Sequence, residues 1–247
     1  MIRQELAEPV GREATGFSLT STTPMVRFGP LDRLSAAAEN TRREHRENAT
    51  GPGKAWRDRD SVPGSRRVSE DRPVVGDIEA ALDALNRAHV RYLVVGGIAV
   101  VLHGYLRTTA DLDLVVQLER ENVLRAMRAL GELGYRPRAP VSAEALADPQ
   151  MRDQWIREKG LTVFCVWSPA RPTLEIDLFV SEPFDFDAVY SRALRVPLEK
   201  TEATVTALDD LIALKRQVGR PRDLEDIAAL ESLRNAEEQK DVPGDDQ

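Results

Sequence analysis

Residues 94–116, VVGGIAVVLHGYLRTTADLDLVV, restrict the fold more than any other part of this 247-residue chain. The apolar run RYLVV stops at Gly96 and Gly97, and paired glycines suit a tight turn from a buried strand into a helix. GIAVVLHGYLR then has the length of a short helix, with Gly104 close to its end. DLDLVV alternates polar and apolar residues, the pattern of a half-buried strand. Side chains at i and i+2 of a strand share a face, so Asp111 and Asp113 project together while Leu112, Leu114 and Val116 turn to the core. Strand, glycines, helix and strand in this order require a sheet with helices packed on it.

The flanking sequence extends this plan. Ile78, Ala81, Leu82 and Leu85 recur at helical spacing, with Asp77 as the expected cap. A second helix is predicted over 120–133, with Leu124, Met127 and Leu130 on one face and Gly134 as its stop. Residues 137–160 form a polar helical excursion at the sheet edge. LTVFCVW and RPTLEIDLFV read as an antiparallel strand pair around a turn at Ser168, Pro169 and Pro172. A helix in DFDAVYSRAL, two short strands in LRVPLE and ATVTAL, and two helices hinged at Gly219 and Pro221 complete the order. The expected fold is α/β of the α+β kind: a mixed β-sheet flanked by helices and closed by a C-terminal helical pair. It occupies 74–235 as one domain. Residues 1–73 are expected to be a disordered leader, with a short helix over 31–46 allowed but few apolar positions to bury, and 236–247 a flexible tail.

Charge and composition narrow the partners. The net charge of −7 is uneven: residues 1–72 carry 13 Lys and Arg against 11 Asp and Glu, which leaves −9 on the remainder. An acidic remainder repels a long duplex and favours a small substrate or an RNA end gripped at a few points, while the leader is either inert or an arginine-rich arm for RNA or a partner. No run approaches the roughly 20 apolar residues of a bilayer span, and no secretory signal opens the chain, so the expected location is the cytoplasm. Cys165, the single cysteine, is expected as a buried small apolar residue.

Two carboxylates on one face repel each other unless a cation lies between them, and magnesium is commonly held by one or two carboxylates plus substrate phosphates. A surface D-x-D pair is otherwise ordinary. LEIDLFV alters the balance, because its alternation puts Glu175, Asp177 and Phe179 together and offers a third carboxylate from a neighbouring strand, from Glu175 or Asp177. Gly96 and Gly97 let backbone amides approach an anion at a helix start, without matching a dinucleotide or P-loop motif.

In this combination, GG, RTTADLDLVV, LEIDLFV and DDLIALK, the chain resembles nucleotidyltransferases of the DNA polymerase β superfamily over about 78–233, and most nearly the AbiEii/AbiGii toxin-like branch. GG here replaces the more usual G-S, which removes a hydroxyl. The resemblance implies that Gly96 and Gly97 hold a nucleoside triphosphate, that Asp111 and Asp113 bind both metals, and that Asp177 binds the catalytic metal and assists deprotonation of the acceptor. It implies that Arg107, Thr108 and Thr109 reach phosphate or orient the aspartates, and that Lys215 faces the triphosphate. The implied cofactor is magnesium or manganese. The implied partners are an NTP, an RNA acceptor such as a tRNA 3′ end and, for a type IV toxin-antitoxin toxin, an antitoxin encoded nearby. Two alternatives stand beside it: a small-molecule acceptor such as an aminoglycoside, and a non-catalytic helical module placing Arg216, Arg220 and Arg222 on DNA. His103 is expected to pack or cap, Asp223 and Asp226 to cap or bridge the last helices, and Trp155 either to stack on a base or to anchor the excursion.

Overall fold

The computed structural model describes residues 29–49 and 72–238. The remainder of the expected leader and tail lies outside the described residues. Helix α1 (Pro30–Ala49) contains the short helix allowed over 31–46, and it buries Leu34 and Ala37 against α2 (Arg72–Arg87) and α3 (Gly96–His103). Leu31, partly buried, packs there as well, and α1 lies on helices that are themselves packed. Helix α2 begins five residues before the expected cap, with Pro73 in its first turn, where the missing N–H costs no helical bond. Asp77 is therefore inside the helix and pairs with Arg171, tying α2 to the turn between two strands.

The strands are β1 (Tyr92–Val94), β2 (Asp111–Val116), β3 (Arg136–Pro137), β4 (Val163–Trp167), β5 (Glu175–Phe179), β6 (Leu194–Pro197) and β7 (Glu202–Val205). They form one mixed sheet in the order β3-β4-β5-β2-β1-β7-β6. The expected β4–β5 hairpin is antiparallel, whereas β5 runs parallel to β2 with Asp113 beside Asp177 and Asp111 beside Glu175.

One face of the sheet carries the main core. Leu112, Leu114 and Val116 meet Ile78, Leu82 and Leu85 of α2 and Val123, Met127 and Leu130 of α4 (Arg120–Glu132), all within one buried cluster. Each such side chain contributes about 1.5–3 kcal/mol by leaving water. Leu124, expected on the same helical face, is only partly buried. The excursion forms a 3-10 turn (Ala143–Ala147) and helix α5 (Pro149–Lys159), with Trp155 buried and stacked on Phe164 at 5.5 Å. Trp155 thus anchors the excursion.

The opposite face is divided. Leu93, Val95 and Val115 form a small apolar cluster with Phe186 and Val189 of α6 (Phe186–Ser191) and Leu214 of α7 (Leu208–Val218). Helix α7 ends at Gly219, which takes the left-handed cap conformation at φ 66, and α8 (Pro221–Glu238) folds back on it. Beside this cluster the aspartates of β2 and β5 come to the surface.

Candidate functional site

Alternation along β2 and β5 places Asp111, Asp113 and Asp177 on the divided face, and the parallel register brings Asp113 level with Asp177. The chain then leaves β1 through Gly96, whose φ of +63 is the left-handed region that glycine adopts freely. The two glycines bear on the carboxylates directly. A β-carbon on Gly96 would fall 1.8 Å from an Asp113 carboxylate oxygen, and one on Gly97 would fall 2.3 Å from the Thr109 hydroxyl and 2.8 Å from an Arg107 nitrogen.

That crowding yields a sharp contrast within the chain. Gly96→Ala is expected to lower stability by about 2 kcal/mol or more through left-handed strain and displacement of Asp113. Gly131→Ala in α4, where a β-carbon meets nothing within 4 Å, is expected to be neutral or to gain up to about 1 kcal/mol. Thermal melts of the two variants at one pH measure the difference. Equal melting temperatures would contradict the packing around Gly96.

Burial, followed by the charges of Asp177 and Asp111, pushes the Asp113 carboxyl up to about 6, although the Gly97 N–H donates to it and draws it partly back. Asp111 is raised by burial and then by Asp177 and Glu175. Asp177 is raised by burial first and by Glu175, against a hydrogen bond from Cys165 and the nearby Arg138. All three carboxyls are raised, and a cation bound among them would draw them back down. As they stand, no three His, Cys, Asp or Glu side chains among the described residues are grouped to hold a metal ion by themselves. A pair of aspartates completed by phosphate oxygens of a substrate is, however, a set that magnesium accepts.

A cavity of about 320 Å³ is lined by Gly96, Gly97, Thr109, Asp111, Asp113 and Asp177 together with Arg107, Lys215, Arg220, Arg222 and Asp223. Arg107 reaches in beside Gly97, where a β-carbon would fall 2.8 Å from its nitrogen. Thr108 is not among the lining residues; its carbonyl accepts from Arg222 at 2.6 Å and from Arg107 at 3.3 Å, so its placement is that of a backbone clasp. Phe179, Leu211, Leu214 and Val218 add an apolar side.

Lys215 is buried, and its ammonium donates to Asp226 at 2.6 Å and to Asp223 at 3.4 Å. Asp226 also accepts from Arg107 at 2.5 Å, and Asp223 accepts from Arg220 at 2.9 Å. Asp223 and Asp226 do bridge, as expected, but inward: both are buried and together they hold Lys215, Arg107 and Arg220 in place. Burial alone would raise Asp223, yet the Arg220 hydrogen bond, with Lys215, holds its carboxyl below the usual range. The sequence signal for this network was RPRDLED directly after a helix hinge, whose charges read equally well as surface caps.

Among the remaining candidates, His103 packs, with Nε2 2.8 Å from the Thr206 carbonyl oxygen. Arg216 pairs with Glu231 on the surface, whereas Arg220 and Arg222 turn to the cavity. Cys165 corrects an expectation: it is half-buried on the carboxylate face, with Sγ 3.4 Å from Glu175. Burial, then Asp177 and Glu175, pushes its thiol up to about 12, so it stays protonated at neutral pH. The alternation in VFCVW carried that information, because Phe164 and Val166 take the core side.

The sequence matches no protein-family profile and no curated protein. Among solved structures it is similar to the antibiotic-resistance factor ANT(2'')-Ia studied in solution, with 13% identity and a TM-score of 0.42 over 66% of this chain and 90% of that one. No helix among the described residues is long and apolar enough to cross a membrane.

Proposed function

We propose that this chain is a metal-dependent nucleotidyltransferase that moves a nucleoside monophosphate from an NTP to an acceptor hydroxyl. One observation carries the reading: three carboxylates on two adjacent strands and four cationic side chains line one cavity beside a paired-glycine turn. The carboxylates suit divalent metal, the cations suit a triphosphate, and their juxtaposition suits attack on the α-phosphorus. Magnesium or manganese, held by Asp111, Asp113 and Asp177 together with phosphate oxygens of the NTP, would supply electrostatic stabilisation of the phosphate charge.

In this reading the acceptor oxygen forms a bond to the α-phosphorus as the bond to the β-bridging oxygen breaks, and pyrophosphate leaves. Asp177 takes the hydroxyl proton and passes it to solvent. Its raised carboxyl suits a group that must hold a proton briefly. Lys215 and Arg107, fixed by Asp226, meet the triphosphate, and the apolar side of the cavity leaves room for the base. The acceptor is RNA, at a 3′ end such as that of tRNA, and the outcome is growth inhibition in the cytoplasm as the toxin of a pair whose antitoxin is encoded nearby. The resemblance in sequence supports this finer part. Arg220, bonded to Asp223, and Arg222, bonded to the Thr108 carbonyl, both line this cavity, which favours the transferase reading over a DNA-binding module.

The test incubates purified chain and magnesium with each of four labelled NTPs and total RNA, beside the Asp111→Ala plus Asp113→Ala variant. Label transferred to RNA by the wild type and lost in the variant is the expected outcome. Labelling that is equal in both, or absent with RNA and with small hydroxyl compounds alike, overturns the proposal.

A further inference from the structure

Two rows of side chains cross four neighbouring strands on the carboxylate face. Strand β2 pairs Asp113 with Asp177 and Asp111 with Glu175 on β5, and β5 pairs Asp177 with Cys165 on β4. Strand β4 pairs Trp167 with Arg136 on β3, and just beyond β3 the Arg138 N–H donates to the Cys165 carbonyl at 3.0 Å. Paired residues present their side chains on the same face. One row therefore runs Asp113, Asp177, Cys165, Arg138, and the other Asp111, Glu175, Trp167, Arg136.

Each row passes from acid to base. With strands about 4.8 Å apart, the arginines lie roughly 10 Å beyond Asp177, on the side away from Gly96 and Gly97. This part of the face is open: every second residue of β4 and β5 is half-exposed, and Arg136 and Arg138 are exposed. Arg138 pairs with Glu175. Arg136 instead lies over the Trp167 ring at 5.0 Å, and no carboxylate pairs with it among the described residues.

We propose that Arg136, Trp167 and Arg138 form the acceptor platform and that its occupant is the end of a single-stranded RNA. This rests on the nucleotidyltransferase reading above, which puts the reacting hydroxyl at Asp177. The strand then lies along the rows, away from the triphosphate, with a phosphodiester on Arg136 and a base on the indole. Guanidinium groups match phosphate geometry, and indole faces stack on any base. In a chain whose remainder is strongly acidic, this edge gives a polyanion local purchase. A polycationic acceptor would meet repulsion from the unpaired Arg136.

The experiment uses the full chain and a short labelled oligoribonucleotide with a free 3′ hydroxyl. Its binding is followed by anisotropy, its modification by transfer kinetics, and NTP binding separately by thermal shift with magnesium. Arg136→Gln is expected to raise the oligonucleotide KM about tenfold with kcat little changed, to reduce the salt slope of binding by roughly 0.7, and to leave the NTP shift intact. Trp167→Leu should weaken binding about tenfold as well, and Arg136→Lys should restore most of the loss. Because Arg136 is exposed and no carboxylate among the described residues pairs with it, its variants are expected to melt like the wild type, which keeps the test valid if Trp167→Leu unfolds. Unchanged oligonucleotide binding in a folded Arg136→Gln protein overturns the platform, as does wild-type preference for a polycationic aminoglycoside over the oligonucleotide. Failure of the wild type to bind any NTP sinks the nucleotidyltransferase reading instead, while oligonucleotide binding still judges the platform by its own readout.

Discussion

Asp113→Asn should make this protein more stable and destroy its transferase activity at once. The Asp113 carboxyl is raised to about 6 by burial, then by Asp177 and Asp111. An acid held above its unfolded value binds protons more tightly when folded, so stability falls as pH rises from about 3.8 to about 6 and stays reduced above that window. A shift of about two units corresponds to roughly 3 kcal/mol. Asparagine keeps the shape, and its carbonyl can still accept the Gly97 N–H, but it removes the charge. At pH 7.5 and without divalent metal, Asp113→Asn is expected to gain about 1–3 kcal/mol, or roughly 2–10 °C in melting temperature, and at pH 4 to gain nothing. Nucleotide transfer should drop by on the order of 10³-fold, the scale of losing a preorganised electrostatic stabiliser. Calorimetry at the two pH values with a transfer assay at pH 7.5 checks both halves. A variant less stable than the wild type at pH 7.5, or one that still transfers, would refute the assignment of Asp113.

The second large effect is expected at Asp226. Its carboxylate joins Lys215 and Arg107, and the Asp226 and Lys215 side chains are only 2% and 6% exposed. Breaking a buried pair by removing one partner costs about 3–5 kcal/mol, because the remaining charge is left without compensation. Asp226→Ala should fall in that range, with Asp223 at 3.4 Å giving Lys215 partial relief. Combining it with Lys215→Met should recover part of the loss, since the stranded ammonium is then gone. Denaturant unfolding of the two single variants and the double variant measures the coupling. Additive losses, or an Asp226→Ala protein within about 1 kcal/mol of wild type, would show that the network contributes little.

Much of this site could be read before the fold was known. DLDLVV and LEIDLFV each state, through alternation, which residues share a face, and the structure places Asp111, Asp113 and Asp177 together as that alternation requires. The apolar spacing of Ile78, Ala81, Leu82 and Leu85 likewise gave a helix with those four positions buried. What could not be read was pairing between distant segments. Nothing local to RPRDLED states that Asp226 meets an arginine 119 positions earlier. Helix α1 was allowed by the sequence but its docking was not legible: a few apolar contacts on already packed helices leave almost no periodic signal. Asp77 misled because a polar residue before an apolar run looks like a cap, whereas the true start lay upstream and its charge was committed to Arg171. Cys165 is legible in the same way: its hydrophobic neighbours suggest burial, whereas the two-residue period of VFCVW assigns it to the carboxylate face.

The placement of Asp226 so late in the chain bears on how the protein is made. Domains generally take shape from the N-terminus as synthesis proceeds. While α8 is still inside the ribosome, the emerged part of the chain already holds its glycines and carboxylates and Arg107, but not the Asp226 that pins that arginine. The cations are therefore fixed only once α8 has emerged and folded back, so a copy that stops short of α8 has the ingredients of the site without its arrangement.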